Sequence, residues 1–543
     1  MALGGLPGVN LREIDLSIQP KITQTFIEAG AVESPRGSLL PQFVPNTNYF
    51  RARYFPTDKR YKRGLSTTIL EAEVVLEKSA LWLVRVAHDD ITYAGMDIPV
   101  QGTTDTDGNP VQPSPWTASR IMGYDSLGEP FNPDEDQPEF SDSNIVAYII
   151  AESPGHWGNS ISVRITNLDA TGKVPNSDLI EVFVDGEKVE EFYVSTDPNA
   201  KFNGKPLFLP QVLKQSAYIR GFVNPLNFGK KLQPTGSTPV SLGAGDDGSA
   251  VTTGDYIKAI ERLKGDTYKY QVINDFGIAD PSYALKLTEI AQEKRSFATL
   301  SVPYEDVASS NYVTQIIDYR ENQLSISGDL SSFAGLYGNW LKVYNPDIDD
   351  TLYLSPSCFA GKVIAHTWAN YNPWYPPAGF KRGYLTALDV RRRMSVNEMG
   401  LLYDKGINPI RFAPGKGLAI FGQKTLYPFL SALDRINVRL LLNYVELVGK
   451  EYLESFIFDL NDKTTWDLAY SGMDTLFRDL KARGAFYDYK VFYPGDATTP
   501  LDIDNHIMRI PVAVKPVKSV EWIDFTIGII ATGGDLNILA QVV

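Results

Sequence analysis

At 543 residues, 43% of them hydrophobic and 21% charged, the chain is too long for one hydrophobic core and too apolar for general disorder, so three or four domains are expected. Its 51 basic and 65 acidic residues leave a formal net charge of −14, which argues against a surface built to grip phosphates and against nucleic acid as a partner. The single cysteine, Cys358, excludes an intrachain disulfide and a cysteine-based zinc site and fits folding in a reducing compartment.

No run approaches the roughly 20 apolar residues that cross a bilayer, so membrane insertion is not expected. The start, MALGGLPGVNLREIDLS, lacks the basic and apolar regions of a secretory signal. Residues 8–19 set Val9, Leu11, Ile14, Leu16 and Ile18 against polar neighbours with a two-residue period and one slip. That is the pattern of an extended strand or arm, and its pairing partner must come from elsewhere.

Short strands are expected from Phe26 to about Val44, then a helix carrying Ile69, Ala72, Val75 and Leu76, then the β run Leu81–Val86, together a compact α/β module ending near residue 100. Residues 101–142 are rich in Gly, Pro, Asp and Ser and read as loop or linker. From Ile145 to about Leu242 the pattern is all short strands, with Asp185-Gly186 as a hairpin signal, so an inserted β-domain is expected. From Thr253 onward helix and strand alternate, which implies right-handed crossovers and a mainly parallel sheet.

After the aromatic, proline-rich turn Trp368–Gly379, two helices are expected over about Ser431–Glu454 and Thr464–Arg483. Strands follow at Tyr487–Tyr493, Ile507–Lys515 and Ser519–Ala531. The final GGDLNILAQVV opens on a glycine hinge, Gly533-Gly534, and carries Leu536, Ile538, Leu539 and Val542 in an apolar tail that needs a partner to cover it.

Several motifs lie in a fixed order along this pattern. They include PGV with EID near the start, SPGHWGNSISVRI (Ser153 to Ile165), LGAGDDGSAVTTGDYIKAI (Leu242 to Ile260) and PPAGFKRG (Pro376 to Gly383). KGINPIRF (Lys405 to Phe412), LDRINVRLLLNYVE (Leu433 to Glu446) and FIFDLND (Phe456 to Asp462) follow. In their order and spacing they resemble the contractile tail sheath proteins of the bacteriophage type. Two departures are visible: residues 101–245 are larger than in compact sheaths, and the usual Gly-Pro before the exit turn is replaced by Asn372-Pro373-Trp374-Tyr375.

The resemblance implies an α+β and α/β multidomain fold. Its parts would be an N-terminal arm (1–22), an α/β module (23–100), a linker with an inserted β-rich domain (101–245), a subtilisin-like α/β domain without catalytic residues (246–380), a C-terminal sheath domain (381–531) and a C-terminal arm (532–543). It implies a structural, non-enzymatic subunit without cofactor that polymerises helically in rings of six around a tail tube, contracts to drive the tube through a cell envelope, and is joined to its copies by exchange of arm strands. The implied partners are further copies, the tube protein, a baseplate and a tail terminator; the implied location is the virion tail, assembled in the host cytoplasm. Tube contact in this family lies in the C-terminal domain, where Lys463, Arg478, Lys481 and Arg483 around the second helix are candidates against acidic tube residues. An ordinary solvated helix face is the alternative for each.

Other chemistry finds little support. GLAIFGQKT (Gly417 to Thr425) approaches a phosphate-binding loop, but Gln423 separates the second glycine from Lys424, and Leu418 to Phe421 reads as a strand. The four histidines, His88, His156, His366 and His506, form no sequence pattern of a protease triad, and no G-x-S-x-G elbow occurs. Asp105 to Asn109 and Asp246-Asp247-Gly248 hint at calcium loops in the wrong order and read as solvated turns. Trp368, Tyr371, Trp374 and Tyr375 could form a stacking platform for sugars, the basis of a receptor- or carbohydrate-binding alternative, whereas the interleaved prolines favour a packed crossing.

Overall fold

The structure is a computed structural model and describes residues 26–55, 66–140, 142–169 and 173–523. These divide into two compact units, one of residues up to 373 with 377–450, the other of residues 374–376 with 451–523.

The strand Ala80–Val86 is buried along nearly its whole length, and an apolar strand of that kind needs cover on both faces. It pairs in parallel with Ile27–Glu33, from Ile27 opposite Ala80 to Glu33 opposite Val86, and antiparallel with Gln42–Val44. On its other edge Ile27–Glu33 pairs in parallel with Val272–Asn274, and Phe297–Ser301, Ala334–Tyr337 and Ile407–Asn408 complete a seven-stranded sheet. Successive side chains alternate between two cores. Leu81 and Leu83 join one that includes the helices Thr67–Leu76 and Pro356–Asn370, while Val84 and Val86 join the other, with Thr253–Glu261 and Pro281–Lys294.

Residues 23–100 and 246–380, expected as separate domains, thus lay their strands in one sheet, and Ile407–Asn408 adds to it from beyond residue 380. The physical reason is that Ile27–Glu33 has two edges and the segment up to residue 100 covers only one. Asn408 finishes the far edge: its side-chain amide donates to the carbonyls of Leu336 at 3.1 Å and Lys424 at 2.8 Å and accepts from the Lys424 amide at 2.7 Å.

The inserted region is two four-stranded sheets sharing one core. It begins earlier than expected, because Gly95–Pro99 pairs with Ile145–Ala151. Residues 101–142 are not a free linker: Ser114–Pro115 pairs with Met96 and Asp97, and buried Trp116 donates from its indole nitrogen to Asp97 at 2.7 Å. The hairpin at Asp185-Gly186 turns with φ of 50° and 85°, as its sequence requires.

The PGHWGN motif joins insert to sheet. Arg85, on the same face of its strand as Leu81 and Leu83, is fully buried and donates from Nε to the Ser34 carbonyl at 2.7 Å and from Nη1 to the Pro154 carbonyl at 2.5 Å. Arg36 lies 4.3 Å over the Trp157 ring, and Asn159 exchanges two hydrogen bonds with the Gly245 backbone at 2.8 and 2.9 Å. Gly155 has φ of 122° and would place a Cβ 2.6 Å from the Asp247 carboxylate, so only glycine fits.

Three carboxylates are buried in or beside the sheet without a basic partner among the described residues: Glu28 on a strand, Glu71 on the helix Thr67–Leu76 and Asp275 just after the strand Val272–Asn274. Glu28 accepts from Ser79 Oγ at 2.9 Å and from the Asn274 amide; Glu71 accepts from the Ser355 amide at 2.7 Å and from its Oγ; Asp275 accepts from the Ser301 amide at 2.6 Å. Burial pushes Glu28 and Glu71 from an ordinary 4.5 up to about 8, and Asp275 from 3.8 to about 6, with the hydrogen bonds offsetting part of the rise.

Two outcomes follow from these groups. Arg85→Ala leaves the Ser34 and Pro154 carbonyls unpaired, at about 1–3 kcal/mol each, so the urea midpoint of unfolding is expected to fall markedly. Glu28 and Glu71 ionise near 4.5 in the unfolded chain and near 8 in the folded one, so the folded state holds the extra protons between those values. The contribution of these two groups to stability is full below about 4.5 and is lost as pH rises toward about 8; the double variant Glu28→Gln, Glu71→Gln is expected to flatten that slope in thermal melts across this window.

Candidate assembly surfaces

The second unit is built on one amphipathic helix, Lys463–Ala482. Ala469, Met473, Phe477 and Leu480 recur at helical spacing and are its buried residues. Asp462 caps its start, accepting from the Thr465 amide at 3.1 Å. Phe477 packs on Phe486 and Tyr489, whose ring centroids each lie 5.7 Å away. Those two residues belong to the strand Phe486–Val491, which pairs antiparallel with Val512–Pro516.

This two-stranded sheet has no third strand on either edge among the described residues. Its strands overlap the expected Tyr487–Tyr493 and Ile507–Lys515, displaced by a few residues. Residues 519–523 of the expected last strand are not in a strand. The remainder of that strand lies outside the described residues, as do the arm positions Val9, Leu11, Ile14, Leu16, Ile18, Leu536, Ile538, Leu539 and Val542 and the hinge Gly533-Gly534.

The four cations proposed for tube contact are all exposed and all on or beside the helix, yet three are already paired within the unit. Arg478 bridges Asp474, Lys481 bridges Asp488 at 2.7 Å, and Arg483 bridges Asp479 at 3.4 Å while lying 5.2 Å over the Trp374 ring. The hydrogen bonds to Asp474 and Asp488 hold Arg478 and Lys481 charged by raising their pKa values. No ion pair joins Lys463 to a described residue.

The residues weighed for other chemistry are spent on structure. Gly417–Ile420 is a strand, and Lys424 donates its ammonium to the Tyr403 carbonyl at 2.8 Å, 4.4 Å over that residue's ring. Asp105 turns its carboxylate onto the amides of Asp107 and Asn109 at 2.9 and 2.8 Å, and Asp247 accepts from the His156 amide at 2.8 Å. The Cys358 thiol is buried, which pushes its pKa well above the ordinary value. Of the aromatic turn, the two tryptophans are packed rather than open: Trp368 lies between Phe26 and Tyr444 at 5.4 and 5.8 Å, and Trp374 is 7% exposed.

Sequence reading missed Arg85, Glu28 and Glu71, although a charge inside the run Leu81-Trp82-Leu83-Val84-Arg85-Val86 was a visible signal for the first. The LDRINVRLLLNYVE motif also resolves into anchoring. On the helix Ile436–Leu453, Arg439 donates to Asn443 at 2.9 Å and lies 4.2 Å over Phe333, and Asn443 donates to the Ser296 carbonyl at 2.8 Å.

Residues 431–530 match the family model described as the phage tail sheath C-terminal domain. The chain is 26% identical over 390 residues to the tail sheath protein of Vibrio phage KVP40, covering 67% of this chain and 56% of that protein. It is 27% identical over 230 residues to the tail sheath protein of Enterobacteria phage T4, covering 42% of this chain and 34% of that protein. The match therefore spans little more than half of the first relative and about a third of the second. Among solved structures, the sheath tail protein of Listeria innocua shares the fold with a TM-score of 0.57 at 12% identity, covering 91% of this chain and 92% of that one. The chain is therefore similar to phage tail sheath proteins over residues 431–530 and over the stretch shared with the Vibrio phage protein, and its mixed α/β fold is similar to that of a sheath tail protein.

Proposed function

We propose that the chain is a structural, non-enzymatic subunit of a contractile tail sheath, polymerising helically in rings of six around a tail tube and contracting to drive that tube through a target envelope. Copies are linked by exchange of terminal strands: the apolar, alternating ends of one copy add to the two-stranded sheet of its neighbours. The observation that supports this reading is the ribbon Phe486–Val491 with Val512–Pro516, whose outer edges carry main-chain donors and acceptors and no described partner strand.

Energetics favour completion of the ribbon. The ribbon packs on the helix Lys463–Ala482 through Phe477, and each main-chain hydrogen bond added along its outer edges contributes about 0.5–1.5 kcal/mol net. Several bonds per arm, repeated over many copies, hold a mesh by avidity while Gly533-Gly534 acts as the joint that lets the subunits shift. Contraction then needs two packings of the same subunit, the extended one metastable and the contracted one lower in free energy, with no nucleotide or metal consumed.

Lys463, Arg478, Lys481 and Arg483 face the tube in this reading, with a baseplate and a terminator at the two ends of the polymer. The virion tail, assembled in the host cytoplasm, is the site of action. The subtilisin-like portion in this reading is the seven-stranded sheet, which takes strands from residues 27–86 and 407–408 as well as from 246–380.

Removal of residues 533–543 tests the exchange. The truncated chain is expected to keep the full-length melting temperature and to yield no hollow cylinders in negative-stain images, with or without a tube protein. Cylinders indistinguishable from those of the full chain would end the strand-exchange reading.

A further inference from the structure

The three strands Tyr384–Leu385, Gly417–Ile420 and Ile410–Ala413 form a small antiparallel sheet within the first unit. Leu385, Leu418, Ile420 and Ile410 point into the core. The opposite face is set by register: Tyr384 stands opposite Ala419, and Ala419 opposite Arg411, so Tyr384 and Arg411 project on one side, with Phe421 two residues along from Ala419. Tyr384 is 56% exposed and Phe421 40%.

Cations gather on Phe421 and on Phe380, whose ring lies 5.4 Å from it. The Arg411 guanidinium lies 4.7 Å from the Phe421 ring and 5.9 Å from Phe380, the Lys416 ammonium 5.4 Å from Phe380, and Lys381 5.9 Å from Tyr371. None of Arg411, Lys416 or Lys381 has a carboxylate partner among the described residues. In a chain of net charge −14, where most cations beside the second helix are paired, this is a basic, aromatic-backed face awaiting an acid.

The chain also carries the complement. Residues 131–140 read FNPDEDQPEF, with four carboxylates and no base. Both ends are pinned: Phe131 packs on Tyr93 and Phe222, and Phe140 stacks on Tyr148 at 4.3 Å. Asp134 is held by Arg220 at 3.0 Å and Asp136 accepts from the Asn132 amide at 2.7 Å, while Glu135 and Glu139 are exposed and have no ion-pair partner among the described residues. The result is a fixed acidic loop.

We propose that the basic face around Arg411 and Lys416 binds the acidic loop Asp134–Glu139 of a second copy. Both surfaces belong to the first unit and no ion pair joins them within one chain, so their pairing requires another molecule. The loop and face are different surfaces, so the contact is head-to-tail and propagates along a polymer rather than closing a two-fold dimer. Guanidinium and ammonium groups already seated on rings lose little side-chain freedom on pairing. The contact rests on the reading of the chain as a polymerising subunit, and it is separate from the terminal strands.

Charge exchange in the full-length chain tests it, read as the protein concentration at which sedimentable polymer appears. Arg411→Glu with Lys416→Glu, and separately Glu135→Lys with Glu139→Lys, are each expected to raise that concentration about tenfold, and all four together to restore it to within about threefold. Added salt is expected to weaken wild-type assembly and to act less on a chain with all four residues changed to Gln. Polymer indifferent to either reversal, or a loss that the combined chain does not restore, overturns the contact and leaves the sheath reading standing. A wild-type chain that forms no polymer with or without a tube overturns both.

Discussion

A parallel strand buried on both faces must find two neighbours, and in this chain they come from opposite sides of a long excursion. Ile27–Glu33 is flanked by Ala80–Val86 and by Val272–Asn274. The chain therefore leaves the sheet near residue 87 and must return to the same place by residue 272. Everything hung on that excursion has to begin and end at one stem. The stem is closed by the Thr92 amide donating to the Asp246 carbonyl at 3.0 Å and the Gly155 amide donating to the Thr92 carbonyl at 2.8 Å, beside the carbonyls that Arg85 holds. A turn motif, a buried arginine and a glycine-rich return are thus one device, imposed by a sheet that cannot be assembled from adjacent segments.

The edges of the seven-stranded sheet and of the two-stranded ribbon in the second unit differ. The seven-stranded sheet ends on Gln42–Val44, three residues long, and on Ile407–Asn408, two residues long and tied by the Asn408 side chain. Short, covered ends are how a sheet avoids pairing with other chains. Phe486–Val491 and Val512–Pro516 run for six and five residues, with both outer edges bare of described strands. The seven-stranded sheet is thus blunted at both ends, whereas the two-stranded sheet carries no described strand on either outer edge, which is the edge the proposed exchange would use.

What was legible in the sequence was local. The period of Ile436–Leu453 and Lys463–Ala482, the strand Ala80–Val86 and the Asp185-Gly186 turn all follow from neighbours a few residues away, and each appears within a few residues of its expected place. The division into modules failed where the cause was distant, since nothing near residue 30 announces that residue 272 will lie beside it. The same holds for Glu28 and Glu71, which look like ordinary surface carboxylates in a strand and a helix until Asn274, Ser79 and Ser355 arrive from elsewhere to surround them. Of the candidate contact residues, the four cations beside the second helix are exposed, and three of them, Arg478, Lys481 and Arg483, have home partners in Asp474, Asp488 and Asp479 that the sequence did not announce.

Those home pairs bear on how a sheath contact can be made and released. An exposed ion pair contributes only about 0–1 kcal/mol, so exchanging Asp488 for a carboxylate on another molecule costs Lys481 little in either direction. Contacts of that kind hold a position without locking it. Copies of a chain with net charge −14 also repel one another at long range, and salt shortens that repulsion to about 8–10 Å. In the proposed polymer, association depends on local complementarity at close approach, supplied by main-chain bonds along the ribbon edges and by opposite charge at the face around Arg411 and Lys416. A polymer joined by many such weak, separate contacts can trade one set for another as its subunits shift, whereas one joined by a single large apolar interface would have to come apart first.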